Sequence, residues 1–180
     1  MIRLKSLIQE ISNNDLQRIL QKIQNKQFTL FGQGDNGRVY EFEGEDKLFK
    51  ITTESEEYRV AEILANEFSK YTTFIPVYYV DGTNGYIMAK ASELSSKQKV
   101  AIDQFIANYK NYAREQGGEV SIFDYLDADG ARNNDERLVN FLRDLQQDVS
   151  KINIADLDLD LDFKTDNVMI WNGKMVMIDW

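Results

Sequence analysis

Asp162-Phe163-Lys164-Thr165-Asp166-Asn167 is followed, twelve residues after Asn167, by Asp179. The segment around its start, 155–167, reads as a polar loop. Within it Leu157-Asp158-Leu159-Asp160-Leu161-Asp162 alternates as an extended chain does, with the leucines on one side. After it, Val168–Trp171 and Met175–Ile178 read as two strands turned at Asn172-Gly173. Asp179 therefore lies across a hairpin from Asp162, Lys164 and Asn167.

The bulk numbers narrow what such a cluster could do. One hundred and eighty residues suffice for one domain, or a small two-lobed unit, with a real core. The net charge of −9 argues against general nucleic-acid or anionic-membrane binding, both of which need basic patches. The chain has no cysteine, which excludes disulfides and thiolate metal sites, and no histidine, which excludes Ser-His triads and the usual zinc sites. Neither a bilayer-spanning segment nor a signal-peptide core is present in the sequence, so the expected compartment is the cytoplasm.

The hydrophobic period changes along the chain. Residues 2–11 repeat at helical spacing, and a second helix after Ser12 or Asn13 puts Leu16, Ile19, Leu20 and Ile23 on one face. Phe28–Phe31, Arg38–Phe42 and Lys47–Thr52 read as strands, Ser55–Lys70 as a helix, then Pro76–Val80 and Tyr86–Met88 as a hairpin. Beyond Ala89 the pattern turns helical, at Ser95–Arg114 and Asn133–Val149, with a glycine-bearing acidic stretch at Gly117–Gly130 between them. The expected organisation is one domain, 1–180: N-terminal helices over 1–26, a β-rich lobe over 27–90 and a helical lobe over 91–180.

Gly32-Gln33-Gly34-Asp35-Asn36-Gly37-Arg38-Val39 lies between two expected strands. Glycines at a hairpin tip are ordinary for backbone reasons. A dinucleotide fingerprint would open a helix, and a P-loop would end in Gly-Lys-Ser/Thr, so this order favours a loop lying over nucleotide phosphates. Thirteen residues past Gly37, Phe49-Lys50-Ile51 sets a lysine in a strand. Alone it would be a lysine pointing to water. Behind that loop it suits bridging the α- and β-phosphates and pairing with a carboxylate on the next helix. Glu57 is the candidate partner, because Val60, Ala61 and Leu64 share its helical face; Glu62, with Ala65, Asn66 and Ser69, is the second candidate.

From Gly32 to Asp179 the chain resembles the protein kinase-like superfamily, each motif appearing in order. The resemblance implies an α+β fold with a small antiparallel β N-lobe and a reduced helical C-lobe. It implies ATP and Mg²⁺ as cofactors. Gly32, Gly34 and Gly37 match the nucleotide loop, Val39 the residue over the adenine, and Lys50 with Glu57 the phosphate-positioning pair. Met88 matches the gatekeeper, with the Ala89 carbonyl and Ala91 amide meeting adenine at the hinge. Asp162 matches the residue that orients or deprotonates the acceptor hydroxyl, and Lys164 the one that neutralises the moving phosphate. Asn167 and Asp179 match the metal ligands.

The departures shape the expected function. Asp160 and Leu161 replace the His-Arg that precedes the catalytic aspartate, and the arginine normally answers a phosphorylated activation loop. Trp180 replaces the phenylalanine after the metal aspartate. The later helices that receive acceptors do not follow. A kinase-like chain this small resembles viral ones, and a fragment, an oligomer or a partner that completes the C-lobe fits the pattern. The leading expectation is a serine/threonine protein kinase-like phosphotransferase with a protein or small-molecule acceptor. The alternatives are a weak or inactive nucleotide-binding module for protein interaction, or a small-molecule kinase. A competing calcium-loop pattern, Asp127-Ala128-Asp129-Gly130 with Glu136, carries Tyr125 and Arg132 at positions that should be aspartate and apolar. An acidic turn capping the next helix is the expected reading.

Overall fold

The computed structural model describes residues 13–67, 70–118, 120–130, 134–153 and 162–179. The expected helix at 2–11, the His-Arg replacements Asp160 and Leu161, Asn133, Arg132 and Trp180 lie outside the described residues. The chain divides into two compact units, one comprising the chain up to Lys70 with Pro76–Lys90, the other Tyr71–Ile75 with Ala91 onward. The architecture is α+β, with a small antiparallel sheet in the first unit and a mainly helical second unit.

The first unit opens with α1 (Asn13–Gln24), then β1 (Thr29–Gln33), β2 (Gly37–Glu41) and β3 (Lys47–Thr52), α2 (Ser55–Glu67), β4 (Val77–Val80) and β5 (Gly85–Ala89). The strands form one antiparallel sheet in the order β1-β2-β3-β5-β4. Strand alternation gives it two distinct faces. Phe49 and Ile87 are directly paired and pack with Ile19 of α1 and with Phe42, flanked by Leu16, Leu20, Ile23, Phe28 and Tyr40. Burying each such side chain stabilises the unit by about 1.5–3 kcal/mol. The opposite face carries Val39, Lys50 and Tyr86, which are successive partners across β2, β3 and β5. Glu45, in the β2–β3 turn, ties α1 down by accepting from Arg18 and Lys22.

The second unit holds α3 (Ser96–Glu115), α4 (Ile122–Tyr125), α5 (Glu136–Asn153), β6 (Val168–Trp171) and β7 (Lys174–Met177). Ser95 caps α3 in a reciprocal box with Gln98. The stretch 117–130, expected only as a glycine-bearing acidic separator between two helices, contains α4, capped by Ser121 with Asp124, and then a π-helical turn over Leu126–Gly130. Burial of Tyr125 and Leu126 pays for that winding. Asp127 therefore sits in a helical turn and accepts from the Gln146 amide, and Asp135 is the residue that caps α5. Helix α5 begins at Glu136 and continues past the expected Val149 to Asn153. Ile152 extends the buried row of Leu138, Leu142, Leu145 and Val149, and no glycine or proline stops it.

The β6–β7 hairpin is held on both edges. Met177 exchanges backbone hydrogen bonds with Thr73 and Ile75 on one side, and Ile170 exchanges two with Ser92 on the other. Buried Asp148 of α5 anchors the 71–75 segment by accepting from the Thr72 and Thr73 amides and the Thr73 hydroxyl. Among the described residues no helix is long and apolar enough to cross a membrane.

Candidate functional site

Two clusters of candidate residues form, one in each unit. In the first unit the glycine loop is the β1–β2 connection. Gly32 pairs with Val39 inside the ladder, so the tip is narrower than the motif and centres on Gly34–Asn36. The Gly34 amide donates to the Gly37 carbonyl at 3.0 Å. The glycines have different reasons to be glycine. A Cβ on Gly37 would collide with the Ile51 carbonyl of β3, whereas one on Gly32 or Gly34 would meet nothing within 4 Å. Gly37 serves the sheet, and the open side belongs to Gly32 and Gly34. The Asn36 carbonyl at the tip accepts from the Thr53 amide at 2.8 Å.

Lys50, in the middle of β3, is 8% exposed and reaches Glu57 Oε1 at 2.6 Å. Glu57 is 3% exposed and sits in the first turn of α2, where the helix dipole favours a carboxylate. Glu62, further along α2, is only half-buried. Two hydroxyls also bind Glu57: Tyr86 donates to Oε1 and Thr52 to Oε2, each at 2.5 Å. A buried charge is tolerated only when paired and hydrogen-bonded, and Lys50, Tyr86 and Thr52 all donate to this one. Val39 shares the Lys50 face, opposite it in the ladder. Met88, two residues from Tyr86, shares that face too and is buried. Ala89 closes β5, its amide bonded to the Pro76 carbonyl, and Ala91 begins the second unit.

In the second unit the hairpin register does the assembling. Val168 pairs with Met177, and one step further the Ile178 amide donates to the Asn167 carbonyl at 3.0 Å. Asp179 is thereby held beside the 3₁₀ turn Thr165–Asn167. Asn167 is buried, and its side-chain amide donates to the Asp162 carbonyl at 2.8 Å, which bends the loop back on itself. The Asn167 side-chain oxygen and the Asp179 carboxylate are the two oxygen donors that the sequence reading puts forward for a metal. Two hard oxygen donors suit Mg²⁺, so the residues fit that ion.

Lys164 lies 2.5 Å from the Asp162 carboxylate. This hydrogen bond raises the Lys164 pKa above the usual lysine range; desolvation opposes it, and the nearby charges of Asp162, Asp179 and Asp166 assist it. Phe163 between them is buried against Phe105 of α3 and Phe141 of α5. Thr165 donates to Asp103 of α3. A groove of about 850 Å³ runs among α3, α4 and α5, lined by Lys110, Phe123 and Gln146 among others, and reaches Asp162 and Lys164.

Four supporting residues escape the sequence reading. Tyr86 looks like any strand aromatic, and Thr52 and Asp103 like ordinary polar residues. Phe163 did carry a signal, a lone large apolar side chain inside a polar run.

No protein-family model matches the chain, and no curated protein matches it. Four solved chains match. Among them is a structure of the streptomycin–ATP–APH(2″)-IIa ternary complex, an aminoglycoside phosphotransferase. It shares 16% identity, covering 94% of this chain and 71% of that one, with a TM-score of 0.37.

Proposed function

We propose that the chain is an ATP-dependent phosphotransferase that moves the γ-phosphoryl group to a hydroxyl. The observation that carries this reading is the convergence of Asp162, Lys164, Asn167 and Asp179 at one end of the β6–β7 hairpin. Asp162 accepts the proton of the acceptor hydroxyl as the new oxygen–phosphorus bond forms. The bond from the γ-phosphorus to the bridging oxygen breaks, and ADP leaves. Lys164 offsets charge on the transferring group. Asn167 and Asp179 would hold Mg²⁺, which would supply charge neutralisation for the polyphosphate. Lys50, fixed by Glu57, positions the α- and β-phosphates beneath the glycine loop, with Val39 and Met88 against the adenine and Ala89 and Ala91 at its polar edge.

The acceptor is the less constrained part. The glycine-loop form favours a serine/threonine protein kinase. The groove that reaches Asp162 favours a small-molecule acceptor instead, because about 300–1,000 Å³ is the range of small-ligand pockets. A nucleotide-binding module without turnover is the alternative from a different class.

Labelled ATP with magnesium and a panel of protein and small-molecule hydroxyl acceptors separates these readings. Label in an acceptor or in the chain itself identifies an enzyme and its acceptor class. A nucleotide-dependent thermal shift without transfer identifies a binding module. Asp179→Ala is expected to abolish magnesium-dependent ATP binding or transfer. Unchanged affinity and transfer in that variant would sink the assignment.

A further inference from the structure

Glu57 is held by more than its ion pair. Tyr86 lies directly opposite Lys50 on β5 and is fully buried. Its hydroxyl donates to the same carboxylate oxygen, Oε1, that Lys50 meets. The second oxygen accepts from Thr52 of β3. The Thr52 hydroxyl is itself oriented, because it accepts from the Glu54 amide at 3.0 Å just before α2 begins. It also lies 3.1 Å from the Asn36 carbonyl. One proton cannot serve both acceptors, and the 2.5 Å contact takes it. Asn36 is served by the amide and hydroxyl of Thr53.

The arrangement has a mechanical consequence. A lysine–glutamate pair alone lets the helix carrying the glutamate turn away, leaving the lysine to find water. Here two hydroxyls from two different strands grip both carboxylate oxygens, and both strands belong to the central ladder. Hydrogen bonds to an ionised carboxylate are among the strong ones, and inside a buried network they reinforce one another.

We propose that Tyr86 and Thr52 are positioning residues that keep Glu57 aimed at Lys50 before any nucleotide arrives, so that this pair is preassembled instead of switched. The clamp stands on the geometry of the first unit. Its consequence for ATP rests on the phosphotransferase reading.

Amine-reactive labelling of Lys50 at fixed pH, without nucleotide, tests the clamp, with Lys47 of the same strand as the internal reference. In Tyr86→Phe and Thr52→Val the labelling rate of Lys50 is expected to rise about fivefold or more, while Lys47 is unchanged. Thr52→Ser, which keeps the hydroxyl, is expected to behave as wild type. If Lys50 and Lys47 rise together, or Lys50 does not change, the positioning role is overturned, since a merely structural role loosens the whole strand. A second arm measures Mg·ATP affinity, expected to fall about tenfold in Tyr86→Phe with Thr52→Ser near wild type. Altered labelling with ATP affinity unchanged in Tyr86→Phe overturns the consequence for ATP and leaves the clamp. No protection of wild-type Lys50 by Mg·ATP overturns the phosphotransferase reading itself.

Discussion

Lys50 and Lys164 are both paired with carboxylates, and the two units hold them in opposite ways. Lys50 is buried in a strand, and its partner Glu57 is gripped by two further hydroxyls. Lys164 stands on a loop, its side chain 51% exposed and that of Asp162 68% exposed. In the first unit the side chain is immobilised. In the second only the backbone is, through buried Phe163, the Asn167 amide and the hairpin. The proposed roles explain the difference. A group that positions a fixed part of a nucleotide can be buried permanently. A group that meets an arriving hydroxyl must stay reachable, so its loop is fixed while its tip is left in solvent.

Energetics should separate the two pairs. Glu57→Ala strands a buried ammonium, and breaking such a pair costs about 3–5 kcal/mol. Urea unfolding is expected to show a loss of that size, and a loss under about 1 kcal/mol would mean that water reaches Lys50 freely. Asp162→Asn is the counterpart. An exposed pair contributes about 0–1 kcal/mol, so stability should hardly move while phosphate transfer is lost. A destabilisation like that of Glu57→Ala would erase the contrast.

The smallest effect concerns Glu45, which joins α1 to the sheet. Hydrogen bonding from Arg18 lowers its pKa from 4.5 to about 2, opposed by burial and assisted by Lys22. A carboxyl depressed in the folded state stabilises above its unfolded pKa and loses that contribution as pH falls. Glu45→Gln should therefore lower the melting temperature by about 2–4 °C at pH 7. The gap to wild type should close between about pH 4.5 and pH 2. A gap that persists at pH 2 would show that the charge is not what holds α1.

Much of the chain's organisation is legible before any coordinates, because period and turn chemistry act locally. The strands from β1 to β5 follow alternation and glycine-bearing turns, and Asn172-Gly173 marks the hairpin with its left-handed residues. The failures are also local in cause. Helix α5 outran its expected end because nothing in Val149–Asn153 breaks a helix. The α4 and π-helical turn went unread because a short, acidic, glycine-flanked stretch looks like a loop until Tyr125 and Leu126 find a core.

The sequence by itself determined the candidate residues: their types, order and offsets are set along the chain, from Gly32 through Lys50 to Asp162 and Asp179. Only the tertiary structure decided which of them are held, and how. Glu57 over Glu62 is the face of α2 that turns toward Lys50. Tyr86 and Thr52 reach Glu57 only because β3 and β5 pair in one register. Asn167 meets the neighbour of Asp179 only because β6 and β7 close at the matching pair. Offsets along a chain are covalent, but a hydrogen bond between distant residues depends on strand register. Burial sets that register by deciding which side chains leave water.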